Sequence, residues 1–296
     1  MQRKSFIKNL AFTGMAGATM KLQELGRLTN GLEQTATMPV LFLGHGSPMN
    51  AIEENEFVQG FRAAGKALPR PRAVLCISAH WETKGTWITA MEQPRTIHDF
   101  GGFPKALFDV QYPAPGSPEI AAETKALVTS TSVGLDQSWG LDHGSWTVLK
   151  HFYPAADVPI IQLSLDYTQP ASYHYALARE LKALRNKGVL ITGSGNMVHN
   201  LGRVAWDKLN ADNYGYDWAL EASEKMKTFI RSGDHTALIN YRSQGRAFDL
   251  SIPSPEHYLP LLYILALADD KDALSFFNDK AVGGSLTMTS VQFAQS

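Results

Sequence analysis

Four histidines of this chain stand in short motifs of small and aromatic residues: Gly44-His45-Gly46-Ser47-Pro48, Ser78-Ala79-His80-Trp81, Leu141-Asp142-His143-Gly144-Ser145-Trp146 and Gly193-Ser194-Gly195-Asn196-Met197-Val198-His199-Asn200. Imidazole offers two chemistries in such settings. Its neutral ring nitrogen ligates zinc, copper, iron or nickel, and its unperturbed pKa of about 6.5 lets it take or give a proton near neutrality. Thiolate chemistry is not an option for a closed site, because Cys76 is the only cysteine; that also excludes an intrachain disulfide and zinc sites of the CxxC type. Any metal must be held by histidine and carboxylate. A lone loop histidine is more often a hydrogen-bonded polar residue than a ligand, so the weight falls on whether the four converge.

Convergence depends on the elements that carry them. From Met38 onward, short runs rich in Val, Ile and Leu alternate with longer helical patterns, which predicts a single α/β domain with a central, mostly parallel or mixed sheet flanked by helices. Strands are predicted at 40–43, 73–78, 86–90, 132–135, 159–165, 189–192 and 286–292, and helices at 54–68, 118–129, 172–187, 217–231, 234–242 and 255–268. Ser117 and Pro118 read as N-cap and first helical residue. Gly188, Gly233 and Gly245 read as left-handed helix ends. On this layout His45 and His80 lie just past the first and second strands, His143 past the fourth and His199 past the sixth. Ligands of open α/β sheets bind beyond the carboxyl ends of the strands, so all four are expected at one site, and the glycines beside them allow close backbone approach.

His257, in Pro255-Glu256-His257-Tyr258-Leu259-Pro260, stands near a predicted helix start. Three protein ligands with open positions would make a catalytic rather than a closed structural site. His151, His174 and His235 fall in or at the start of helical patterns and read as packing or surface residues. His98 lies in Thr96-Ile97-His98-Asp99-Phe100-Gly101-Gly102-Phe103, a candidate loop over the site. Gly193-Ser194-Gly195 lacks the further glycine, or the Gly-Lys-Ser/Thr, that a phosphate loop requires. Trp81, Trp139, Trp146 and Tyr258 flank the histidines and suit either a planar substrate or ordinary core packing.

The formal net charge of −1, with acidic and basic residues interspersed, leaves none of the electrostatic footprint of a nucleic-acid binder. No run approaches the roughly 18 apolar residues of a spanning helix. A small-molecule substrate is the expected partner; the oligomeric state is not legible. Residues 1–37 form a leader outside the catalytic domain expected at 38–296. Its Arg3-Lys4 pair, followed by a mildly apolar stretch, leaves two readings, a cytoplasmic protein with an unstructured leader or export to a periplasm through an atypical twin-arginine-like signal.

The motifs GHGSPM (44–49), SAHW (78–81), LDHGSW (141–146), GSGNMVHN (193–200) and PEHYLPL (255–261), in this order, resemble the class III extradiol ring-cleavage dioxygenases of the LigB superfamily, in the branch similar to DOPA 4,5-dioxygenase. The resemblance implies one divalent metal held by His45, His80 and His257, with iron(II) expected for turnover and zinc(II) able to occupy the site. It implies an acid/base at His199 and a substrate-side role for His143, and the neighbouring Asp142 is a candidate to orient that ring. Asp142 and Ser47, inside these motifs, are candidates for binding substrate. The substrates implied are a catechol and dioxygen. Another branch of the superfamily uses glutamate as third ligand, so Glu256 rivals His257. Two other functions fit the same residue types: a zinc hydrolase using the same three histidines, and a non-catalytic binding protein of the Memo kind.

Overall fold

The computed structural model describes residues 37–295, so the expected leader, apart from Thr37, lies outside the described residues. Alternate apolar residues of the central strands point to opposite faces and build two layers of core. Val40, Phe42, Leu75, Ile77, Leu163 and Ile191 bury on one face, and Leu41, Leu43, Val74, Cys76, Ile160 and Leu190 on the other. The strands are β1 (Val40–Gly44), β2 (Ala73–Thr83), β3 (Thr86–Thr89), β4 (Val133–Asp136), β5 (Ile160–Asp166), β6 (Val189–Gly195), β7 (Asp272–Phe277), β8 (Ala281–Val282), β9 (Leu286–Thr287) and β10 (Ser290–Gln295). Eight form one sheet in the order β4-β3-β5-β2-β6-β1-β10-β7, while β8 and β9 pair separately. The centre, β5-β2-β6-β1, is parallel, and β10 and β7 add an antiparallel edge. The fold is therefore the expected α/β domain with a mixed sheet.

Helices cover both faces. They are α1 (Glu56–Ala67), α2 (Lys105–Phe108), α3 (Pro118–Leu127), α4 (His143–Phe152), α5 (Ala171–Glu180), α6 (Asp217–Ser232), α7 (His235–Ile239), α8 (Arg246–Ser251) and α9 (Leu259–Leu267). Ser117 caps α3 by accepting from Ile120 N, as its sequence predicts. The end of α6 is also as read: Gly233 takes a left-handed φ of 69°. Helix α9, Leu-Pro-Leu-Leu-Tyr-Ile-Leu-Ala-Leu, is buried along its whole length, as a helix apolar on every side must be.

Several boundaries differ from the sequence reading. The predicted helix 234–242 ends at Ile239, and Gly245 opens α8 as its N-cap, at φ 93° and ψ −175°, a region open essentially to glycine alone. Helix α9 begins at Leu259, leaving His257 in the preceding turn. The strand predicted at 286–292 is split into β9 and β10. Strand β7 was not anticipated. It is fixed by a buried pair: Arg185 donates to both carboxylate oxygens of Asp272 at 2.7 and 2.9 Å, and also to the carbonyls of Met38 and Leu267. Removing one partner of such a buried pair costs about 3–5 kcal/mol.

Candidate metal centre

Three imidazoles converge from three separate elements. His45 follows β1 directly. His80 was expected just beyond β2 but lies inside it, at an irregularity: between the pairs Ile77↔Leu163 and Glu82↔Leu165, five steps along β2 match two along β5. Such bulges re-aim side chains, and this one turns His80 out of the ladder toward the site. His257 arrives from the turn before α9, tied down by Asn196 N, which donates to its carbonyl at 2.9 Å. Gly195 permits that approach, since a Cβ there would collide with the His257 carbonyl.

The ring contacts fix which nitrogens face inward. Nδ1 of His45 lies 3.0 Å from Ser194 Oγ, whose own hydroxyl donates to the Gly144 carbonyl. The serine oxygen must therefore accept from His45 Nδ1–H, which leaves Nε2 bare. Nδ1 of His257 lies 3.0 Å from Glu256 Oε1, and Nδ1 of His80 lies 3.3 Å from Asp99 Oδ2. Nε2 of His45 and Nε2 of His80 stand 3.3 Å apart. Two nitrogens each about 2.1 Å from one ion lie roughly 3.0–3.4 Å apart, so the pair fits a shared first-row metal. One ligand atom from each of His45, His80 and His257 lies within 4.8 Å of the others. Burial is the largest cause holding His45 and His257 well below the ordinary imidazole pKa, with their histidine neighbours adding to it. Burial and His143 bring His80 down to about 3, against an opposing pull from Asp99. All three are neutral near pH 7, the form that ligates.

Two further imidazoles flank the same position. The ring of His143 centres 3.8 Å from that of His80, and His199 stacks on His257 at 3.5 Å with 6° between planes. Burial lowers His199 to about 4, although Glu256 pulls the other way. The backbone of His199 is held from two sides, by a bond from its N to the Ser251 carbonyl and by a bridge to Leu286. His143 is the first residue of α4. Its backbone N donates to Asp99 Oδ1 at 2.8 Å, and its Nδ1 lies 3.0 Å from Asp99 Oδ2. Burial pushes the Asp99 carboxyl up, but its contacts with the backbone and ring of His143 outweigh that and hold it below the usual carboxylate range.

The structure thus brings together His45, His80, His143, His199 and His257. Glu256 sits behind His257 on its Nδ1 and does not take its place beside His45 and His80. Asp142 does not orient His143. Its carboxylate is fully buried and accepts from Ser78 Oγ at 2.7 Å, Gln162 Nε2 at 2.6 Å and Ser145 N at 3.0 Å, so it caps α4. The Asp142-x-x-Ser145 spacing before a helical run was the available signal for that cap. Ser47 is exposed, and its hydroxyl caps the short 3₁₀ turn Pro48–Ala51 by accepting from Met49 N. The partner expected from Asp142 comes instead from Asp99, which no spacing rule marks. Phe100 follows it and meets His143 edge-on at 5.6 Å, within a group that includes Phe103, Phe108 and Trp146. His98 belongs to this aromatic packing and not to the cluster, with Nε2 2.9 Å from the Val110 carbonyl.

Residues 39–283 match the family described as the catalytic LigB subunit of aromatic ring-opening dioxygenase. The chain is 48% identical to a 4,5-DOPA dioxygenase extradiol of Escherichia coli K12, over 86% of this chain and 94% of that one. It is 32% identical to a 4,5-DOPA dioxygenase extradiol of Beta vulgaris, over 86% of this chain and 96% of that one. A crystal structure of an E. coli K12 protein described as uncharacterized superposes with a TM-score of 0.74 at 42% identity, covering 86% of this chain and 99% of the other. With the fold, the histidine cluster and these relatives in agreement, the chain belongs to the LigB family of metal-dependent aromatic ring-opening dioxygenases, oxidoreductases of the extradiol type.

Proposed function

We propose that this enzyme opens a catechol of the DOPA class with dioxygen, at a bond outside the two hydroxyls, using iron(II) held by His45, His80 and His257. One observation carries the reading: three imidazoles have Nδ1 turned onto Ser194, Asp99 and Glu256, and two more, His143 and His199, flank the position they enclose. A metal-binding module needs the first three and has no use for the other two. A ferrous ion among three neutral ligands keeps its full charge and supplies Lewis acidity toward catechol hydroxyls and electron density to dioxygen.

The remaining work falls to the chain. His199 is the proposed general base for the second catechol proton: it is held neutral by burial and kept in place by its stack on His257. His143 is the proposed partner of a substrate hydroxyl. Phe100 and its aromatic neighbours provide an apolar wall that excludes water beside it. The relatives named for DOPA support a substrate with a catechol ring and a polar tail. Zinc outcompetes ferrous iron at nitrogen sites, so a purified sample must be stripped and reloaded.

Anaerobic loading with iron(II), then addition of DOPA with and without oxygen, tests the proposal. A yellow ring-opened product with one oxygen consumed per ring is expected only when both iron and oxygen are present. Failure of the iron-loaded protein to consume oxygen or release a ring-opened product from DOPA would overturn the proposal.

A further inference from the structure

We infer that Asp99 is a positioning residue that sets the tautomer of two histidines at once, His80 on the metal side and His143 on the substrate side. The inference rests on the ligand and substrate roles proposed above for those two residues. The Asp99 carboxylate is itself prepositioned. Its Oδ1 accepts from His143 N, one of the first-turn donors that a helix cannot satisfy internally, and the positive end of α4 favours an anion there. The loop that carries it is clamped to the same region: Trp146 Nε1 donates to the Ile97 carbonyl at 2.8 Å, and Ile97 N donates to the Leu141 carbonyl at 2.7 Å.

With Oδ1 engaged, Oδ2 faces both rings, 3.3 Å from Nδ1 of His80 and 3.0 Å from Nδ1 of His143. The His143 nitrogen is buried and makes no hydrogen bond of good geometry among the described residues, so the close charge contact with Oδ2 is the polar contact it has. An ionised carboxylate only accepts, so each Nδ1 must carry its hydrogen, and in a neutral ring Nε2 is then bare. On His80 that is the nitrogen 3.3 Å from Nε2 of His45, where a metal needs a lone pair. On His143 it is an acceptor available to a substrate hydroxyl. Ser194 and Glu256 do the same for one ring each. Asp99 Oδ2 faces Nδ1 of two rings, so metal affinity and substrate handling share one carboxylate.

Asp99→Asn is the discriminating variant. It keeps the shape and an oxygen for His143 N, but turns an amide donor toward both Nδ1 atoms and so favours the Nε2–H tautomers. Zinc(II), which is redox-inert, is titrated against a chromophoric chelator. The asparagine variant should bind about 10- to 100-fold more weakly than wild type, the usual effect of losing the outer partner of a histidine ligand. Melting of the metal-free protein and its far-UV circular dichroism should be little changed. Asp99→Glu, which restores the carboxylate, should recover part of the affinity. In a His143→Gln background, which should retain metal, Asp99→Asn should weaken zinc by the same factor, because that effect runs through His80. Wild-type affinity in Asp99→Asn, or equal losses in the asparagine and glutamate variants, would overturn the inference. Failure of the wild type to bind one zinc per chain would instead overturn the ligand assignment on which it rests.

Discussion

The two sides of the candidate centre are built differently. The floor, which carries His45, His80 and His257, is made of strands, a helix start and a turn in van der Waals contact: Gly44 abuts the Met288 backbone, Gly144 abuts Ser78 and His80, and Gly195 abuts the His257 carbonyl. The wall, which carries Asp99 and Phe100, is a loop whose Gly101 and Gly102 are exposed, with open space where a Cβ would stand. A floor packed this way leaves ring positions no freedom, which suits metal ligation. Apart from Asp99, which touches His80, a wall joined to its support at a few points can change residues without disturbing the ligands, which suits choice of substrate.

Substitutions of ligand and non-ligand histidines should separate in a metal assay before any turnover is measured. His45→Ala removes a proposed ligand from the floor and should abolish stoichiometric metal binding, with activity lost as a result; a variant that still bound one metal per chain would exclude His45 as a ligand. His199→Gln should keep its metal while kcat falls by roughly 10² to 10⁴, the usual contribution of a positioned acid/base. Metal loss in that variant would move His199 into the ligand set and pass the base to His143.

Acid should act on the centre through its buried imidazoles. In the metal-free protein burial holds His199 at about 4 and His80 at about 3, against an ordinary value of about 6.5. As pH falls through 6.5 the unfolded chain takes up protons that the folded one refuses, so stability is complete above that value and declines toward pH 4 and below. The melting temperature of the metal-free protein should fall steadily over this window. A flat profile from about pH 7 to 4 would show that these rings are not held neutral. The smallest effects come from a pair of glycines. Gly195→Ala should cost about 1–3 kcal/mol in chemical denaturation, because the His257 carbonyl must move. Gly101→Ala should stay within about 0.5 kcal/mol, having nothing to strike. Equal costs would erase the distinction between floor and wall.

Much of this was legible in the sequence where the signal is local. Ser117-Pro118, Gly188 and Gly233 mark helix ends through their own backbone preferences, and the structure uses them so. His45 beyond β1 follows from an apolar run ending in glycine. What escaped depends on partners distant in sequence. The register shift that turns His80 outward exists only relative to β5. Strand β7 is set by Arg185, 87 residues away. Asp99 matters because α4 begins beside it, 44 residues on. Asp142 was misread for the opposite reason: its adjacency to His143 suggested a partnership, whereas helix geometry directs its carboxylate to Ser145 N.

The pairing of β1 with β10, Val40 against Phe293, also bears on when the enzyme can arm itself during synthesis. The proposed ligands leave the ribosome in the order His45, His80, His257, and His199 is bridged to Leu286 only when the last strands have emerged. A nascent chain stalled near residue 250 would hold two of three ligands and a first strand paired on its β6 side but open on its β10 side. Metal capture, and the oxygen chemistry that follows from it, is then a late event, reserved for chains whose two ends have met.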